Sequence, residues 1–319
     1  MNSRRTRSSV YAYPRLSKAD LLFMRIGGNG LGNLLFTWAR CLSRSRRNQW
    51  RMIWPTWYSH KPKNKRVNPY DIRTYGDLFQ PTERYVTGLL KWRHLIFRKR
   101  IDESQALATP PRSGCVVQFR GMRGKFQPFL DDLELVRDEL LAMTRVEHLA
   151  AFREVAQAPI GIHIRRGDFL QRSSDRETVE RHNSLQPLSW YIDALNAVRQ
   201  LCGSPVRAIV ISDGNTGELE PLLAMENVQR TEYGSSIADL LALSRSRLLI
   251  ASGSTFSQWA VYLGQVPAIW HPGKHEQGLL LDVPEHEIEW SRGDTLPAWI
   301  PAAVEQQIKW TPLVRGQTG

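Results

Sequence analysis

The sequence predicts an α/β protein of two parallel-sheet domains, and three observations predict it. The chain has 319 residues, enough for two domains each with a core. Short apolar runs alternate with helical periods, the order that builds a parallel sheet covered on both faces. The alternation lapses before AQAP (156–159) and then restarts. The predicted division therefore falls near residue 155, with a cleft between the two domains.

LLFMRIGG (21–28) reads as a buried strand ending in glycines, and GNLLFTWARCLSRSRR (32–47) as a helix apolar on one face. Its basic end suits the helix dipole. RMIW (51–54) is the next candidate strand, and 55–85 reads as loop. GCVVQFRG (114–121) predicts a strand and DLELVRDELLAM (132–143) a helix. After the restart come strand 160–164, helix 188–201, strand 206–212 and helix 216–225. Helix 236–246, strand 247–252, helix 256–264 and strand 267–270 follow. Residues 1–20, rich in Arg and Ser, are expected as a flexible basic arm, with domains at 21–155 and 156–319.

Composition narrows the function. No run nears the roughly 18 uninterrupted apolar residues of a spanning helix, and the N-terminus has no apolar signal-peptide core. The expected location is cytoplasmic, with peripheral contact at the inner membrane face. Cys41, Cys115 and Cys202 stand far apart with no CxxC pair, which argues against a disulfide framework or a thiolate zinc site. The first 100 residues hold 22 Lys and Arg against four acids, a balance of +18 within a total of +12. That half should seek an anionic surface. LLKWRHLIFRKR (89–100) has the composition of a helix lying on a membrane, or of a surface helix with one buried face. A nucleic-acid module would explain the basic half. It would leave the arginine pair in the acidic half without a purpose, and no groove-reading or RNA-binding motif is present.

The arginine pair ends the apolar strand of IGIHIRRGDF (160–169). Ligands of open parallel sheets bind at the carboxyl edge of the strands, where this stretch delivers His163, Arg165, Arg166 and Asp168. Alternation puts His163 and Arg165 on one side and Arg166 on the other. Two forked, permanently charged guanidiniums suit a diphosphate, with Asp168 placed to orient one of them. A structural ion-pair network at a strand end is the competing reading.

Three further stretches lie at strand-to-helix turns. GGNGLGN (27–33) offers close backbone approach but lacks the GxGxxG spacing, the later acidic residue and any P-loop lysine. SDGNTGELE (212–220) brings Ser212, Asp213 and an N-cap at Asn215 or Thr216. The Ser/Thr turn 252–257 opens a helix and is a second phosphate-binding candidate, with plain capping as its alternative. HPGKHEQG (271–278) is not HExxH, and no DxD-like pair occurs, so a metal-assisted mechanism lacks visible support.

Taken in order, these segments resemble the α-1,2-fucosyltransferases and, more distantly, the α-1,6- and protein O-fucosyltransferases. His163, Arg165, Arg166 and Asp168 match the strand-end HxRRxD of those families. GGNGLGNLLF resembles the GGLGNQ-F opening, with Asn29-Gly30 inserted and Leu34 where Gln is usual. Asp239-Leu240 and Ser254-Thr255-Phe256-Ser257-Gln258-Trp259 resemble the later DL and SSFSWW patterns. The likeness runs from about residue 21 to 271. It implies a GT-B fold, GDP-L-fucose as donor, and inverting, metal-independent transfer to a glycan hydroxyl. The implied activity is that of a galactoside 2-α-L-fucosyltransferase in surface polysaccharide synthesis. Arg165 would bind the β-phosphate, assisted by Arg166, while His163 and Asp239 would contact guanine. Ser254, Thr255 and Ser257 would hold phosphate, Asp168 belongs to the same nucleotide-binding set, and Asn33 would reach toward the reacting sugar. The acceptor would be carried on lipid pyrophosphate or be an acidic glycan, with no specific nucleic acid as partner. No general base stands out among Asp175, Glu177 and Glu180.

Overall fold

The computed structural model of the protein describes residues 10–21, 23–60, 74–111, 113–149, 159–166 and 185–306. The chain divides into two compact units, Met1–Arg145 and Val146–Gly319, slightly ahead of the expected boundary. Each is an α/β unit with a parallel sheet, in line with the expected α/β class and its pair of Rossmann-like domains.

The first unit runs β1 (Tyr11–Arg15), β2 (Ala19–Asp20), β3 (Arg25–Ile26), α1 (Leu31–Arg47), β4 (Arg51–Ile53) and β5 (Ser59–His60). It continues with β6 (Tyr85–Val86), α2 (Gly88–Phe97), β7 (Lys99–Asp102), α3 (Glu103–Ala108), β8 (Cys115–Arg120) and α4 (Leu133–Met143). Its main sheet has the order β6-β4-β1-β8-β7, parallel throughout.

Two expectations fail here. The first strand of the sheet is β1, inside the supposed flexible arm of residues 1–20. Tyr11, Ala12 and Tyr13 are buried, and the Tyr13 hydroxyl bonds Thr56 at 2.9 Å and Asp20 at 2.5 Å. Pro14, which has no N–H to donate, lies beyond the last residue paired with β4 and is in register with Phe119 of β8. LLFMRIGG, in contrast, contributes only the two-residue β3 to a small sheet, β2-β3-β5. Leu21, Phe23 and Ile26 are exposed while Arg25 is fully buried, with its guanidinium bonded to the Gly27 carbonyl. Gly28 at φ +118° lies against that guanidinium, leaving no room for a Cβ.

α1 buries most of its surface and includes Arg40, which is 1% exposed. Arg40 Nε donates to both Glu103 carboxylate oxygens at 3.0 Å, and the other nitrogens donate to the carbonyls of Arg120, Gly121 and Arg123. The guanidinium therefore ties the start of α3 to the chain that leaves β8. Glu103→Ala would leave this charge buried without its counter-ion and is expected to cost about 3 kcal/mol, read as a lower denaturant midpoint at unchanged slope.

The second unit runs β9 (Ile160–Ile164), α5 (Leu188–Cys202), β10 (Ala208–Ser212), α6 (Thr216–Leu223), β11 (Val228–Arg230) and α7 (Ser236–Leu243). β12 (Leu248–Ala251), α8 (Thr255–Gly264), β13 (Ala268–Trp270), β14 (Glu287–Glu289) and α9 (Trp299–Glu305) complete it. All six strands are parallel, in the order β11-β10-β9-β12-β13-β14. The chain thus builds outward from β9 in one direction, then crosses back and builds from β12 in the other. This is the dinucleotide-fold order, whose switch point lies between β9 and β12.

The alternation of β9 sorts its side chains between two faces. Ile160, Ile162 and Ile164 enter the core with Leu195 and Val198 of α5 and Leu219 and Leu222 of α6. Gly161 faces the opposite layer, where a Cβ would collide with Ser246 Oγ and meet Leu243 Cδ2 at 3.3 Å. Glycine therefore lets α7 and the turn after it lie directly on the strand, one pleat before His163.

Candidate active site

The switch point places the C-terminal ends of β9 and β12 side by side, and there His163 meets Ser252, Ser254 and Ser257. His163, 5% exposed, is the last polar residue within β9. Its Nδ1 lies 2.7 Å from Ser257 Oγ, 2.9 Å from Ser252 Oγ and 3.4 Å from Ser254 Oγ. The ring of Phe256 lies against it at 5.0 Å. Burial pushes the imidazole down to about 4, against the pull of Asp213 and with a smaller push from Arg165. His163 is consequently neutral near pH 7 and acts as a hydrogen-bonding group, with Nε2 the nitrogen left for a ligand.

The serines that hold it begin α8. Ser254 is the N-cap and accepts from the Ser257 N–H at 3.4 Å. Ser254 and Thr255 are half-buried at the first turn, where the positive end of the helix dipole favours an anion. Ser257 is wholly buried, and its hydroxyl is spent on His163 and Ser252, so it fixes the histidine from behind.

Both arginines meet the turn that follows β10. Arg165 Nη1 pairs with Asp213 Oδ2 at 2.5 Å, both about a third exposed, while Asp213 Oδ1 accepts from the Arg166 N–H at 2.7 Å. Arg166 packs over Gly214, where a Cβ would meet its Cγ at 2.8 Å, and donates to the Gln186 carbonyl at 3.0 Å. Its Nε is buried without a hydrogen-bond partner among the described residues. Asp168 lies outside the described residues, as do Asp175, Glu177 and Glu180.

Asp239 lies in the first turn of α7, the helix whose last residue, Leu243, lies over Gly161. Its carboxylate accepts from the Tyr233 N–H at 2.9 Å. Burial pushes its carboxyl up to about 6; the Tyr233 bond opposes this, and Glu232 adds to it. Asn33 belongs to the first unit, half-buried in the first turn of α1 after Gly30.

The sequence reading names Asp213 only as part of the SDGNTGELE turn and passes over Lys274. Asp213 ties the ends of β9 and β10 together, whereas SDGN by itself suggests only capping; an acid at the end of the neighbouring strand is the signal. Lys274, from HPGKHEQG, is buried, and its stem crosses Gly253, where a Cβ would lie 2.8 Å from Cδ. It brings a cation to the turn that opens α8. In the same stretch His275 pairs with Glu287 at 3.3 Å and stacks on Trp270, which accounts for that histidine structurally. Among the described residues, no three His, Cys, Asp or Glu side chains gather as metal ligands.

The first unit holds a cavity of about 260 Å³ beyond the ends of β4 and β6. Trp54, Trp57, Tyr58, Trp92 and Lys91 are among its lining residues. Burial lowers the Lys91 ammonium to about 8, and it donates to Thr56 Oγ1 at 3.0 Å.

Residues 118–270 match the sequence model of Glycosyl transferase family 11. The O-antigen biosynthesis glycosyltransferase WbnK of Escherichia coli is 26% identical over 133 residues, 38% of this chain and 42% of that protein. The matched stretch therefore spans less than half of the curated relative. Among solved structures, the fucosyltransferase NodZ from Bradyrhizobium is similar at a TM-score of 0.49 and 13% identity, covering 82% of this chain and 96% of that one. POFUT1 in complex with GDP gives a TM-score of 0.42 at 10% identity, covering 82% and 97%. The family match contains His163, Arg165, Arg166, Asp239 and Ser257. Residues 118–270, just under half of the chain, are thus similar to Glycosyl transferase family 11.

Proposed function

We propose that the protein transfers L-fucose from GDP-fucose to a glycan hydroxyl, with inversion and without a metal, as a galactoside 2-α-L-fucosyltransferase of surface polysaccharide synthesis. The observation that carries this reading is the cluster at the β9–β12 switch point. There a cationic strand end, a capped helix start and a neutral buried histidine converge. Arg165 takes the β-phosphate and Arg166 assists through the β9–β10 side. Ser254, Thr255 and the first N–H groups of α8 hold phosphate, and Ser257 keeps His163 in place. His163 and Asp239 read the guanine, Asp168 orients the arginine loop, and Asn33 meets the sugar. The chemistry of the step favours this set: GDP leaves as an anion while positive charge develops on the sugar, and fixed guanidiniums stabilise that departure.

The acceptor belongs to the first unit, in the cavity whose indole and phenol rings suit the apolar face of a pyranose. Lys91 supplies a cation for an acidic sugar or a lipid pyrophosphate.

Binding of GDP, UDP and ADP to the wild type and to Arg165→Ala, with no metal added, tests the donor site. The expected result is tight GDP-selective binding that the substitution weakens. Equal affinity for the three nucleotides would assign another donor, and selectivity untouched by Arg165→Ala would make the motif structural.

A further inference from the structure

We propose that the outward face of α2 docks the protein on an anionic phospholipid surface. The helix GLLKWRHLIF is inside out. It buries Lys91, His94 and Leu95 and exposes Leu89, Leu90, Trp92, Ile96 and Phe97, with Leu89 and Phe97 85% and 81% exposed. At 100° per residue these five side chains and Arg93 share one side of the helix.

The rotation is fixed by polar contacts beneath the helix. Lys91 Nζ donates to Thr56 Oγ1 and lies 5.6 Å from the centre of the Tyr13 ring. His94 stacks on Tyr11 with ring centres 3.9 Å apart and accepts from Arg98 Nε at 2.7 Å. Turning the apolar face inward would break each of these and bury Arg93. The exposed face is therefore a consequence of what the sheet demands on the other side.

The patch also extends beyond the helix. Phe23, 62% exposed, lies with its ring 6.1 Å from Trp92, and Leu21 is exposed in the same turn. A water-facing apolar surface of this kind is a docking surface. Its occupant follows from charge. Arg93 sits within the face, Lys99 and Arg100 are exposed just past its end, and the first 100 residues carry 22 basic against four acidic side chains. A second copy would oppose like charge with like, whereas an anionic leaflet receives both the apolar rings and the surrounding cations. The helix has ten residues, and no helix among the described residues is long and apolar enough to cross a membrane, so α2 would lie in the interface.

The test is co-sedimentation of the full chain with phosphatidylcholine vesicles, with and without phosphatidylglycerol. It compares the wild type, Leu89→Ser/Phe97→Ser and Lys99→Gln/Arg100→Gln. The wild type should bind the phosphatidylglycerol vesicles, less so as salt rises. The apolar double variant should lose about tenfold or more in partitioning. The basic variant should lose most of the preference for phosphatidylglycerol. Both pairs are exposed, so thermal unfolding and GDP-fucose binding should be unchanged in either. Three results would each overturn the proposal. The wild type could ignore both vesicles, or the apolar variant could bind as well as the wild type, making the attraction purely electrostatic. In the third, sedimentation velocity finds a dimer that the apolar variant alone dissolves.

Discussion

Arg165→Ala is expected to lower transfer from GDP-fucose by about 10²–10³, the usual loss for a donor aimed at developing charge. The side chain stands at the carboxyl edge of the second unit's sheet, just past the end of β9. Its guanidinium is held by Asp213, which in turn grips the backbone of Arg166, so its direction is set in advance of the ligand. A preorganised cation adds little reorganisation cost at the moment the diphosphate departs, which is why its removal should fall on kcat as well as on donor affinity. The fold should tolerate the change. The Arg165–Asp213 pair is about a third exposed, and pairs of that kind contribute about 0–1 kcal/mol. Asp213 also keeps its bond to the Arg166 N–H. Initial rates with GDP-fucose, set beside the thermal melt of the same preparation, make the comparison. Arg165→Lys should recover part of the rate, because charge returns without the forked donor geometry. Near-normal turnover in Arg165→Ala would remove the diphosphate role altogether.

Much of this site is legible in the amino-acid sequence, and the reasons for success and failure are physical. β9, β10, β12 and β13 are short apolar runs between helical periods, and they lie close to where the pattern puts them. The order of those strands decides which ends meet, and order is a tertiary property. Only with β12 beside β9 does the Ser252–Ser257 turn face His163, 89 residues away in sequence from Ser252. The pairing of Asp213 escapes for the same reason: its partners are at the end of the neighbouring strand, and its own turn looks complete as a capping motif. β1 is hidden by averaging, because Tyr-Ala-Tyr sits within twenty residues dominated by Arg and Ser. The residues of α2 are those of an amphipathic helix and are compatible with two environments. Which side faces inward depends on Tyr11, Tyr13 and Thr56, none of them on the helix.

Asp239→Asn should weaken GDP-fucose binding and abolish its pH dependence below neutrality. Burial raises the Asp239 carboxyl to about 6, with the Tyr233 N–H opposing and Glu232 assisting. In the proposed role this carboxylate accepts from guanine N1–H and the exocyclic amine, and only the ionised form can accept from both. Below about pH 6 the free protein holds a proton there that binding must expel. Affinity for GDP-fucose is therefore expected to rise with pH up to about 6, by as much as tenfold per unit, and then to level off. The stability of the unliganded protein should follow the opposite sign. With the folded value raised above the unfolded one, the contribution is fully present below the ordinary carboxylate range and is lost as pH rises through about 6. His163 does not compete in this window, since it stays neutral down to about 4. GDP-fucose is the right probe because esterification leaves no phosphate group titrating near pH 6, as GDP itself would have. Calorimetric titrations from pH 5 to pH 8 would decide the matter. A wild-type affinity flat across that range, or an Asp239→Asn protein still selective for guanine, would take the base-reading role from Asp239 and leave its raised carboxyl as a consequence of burial alone.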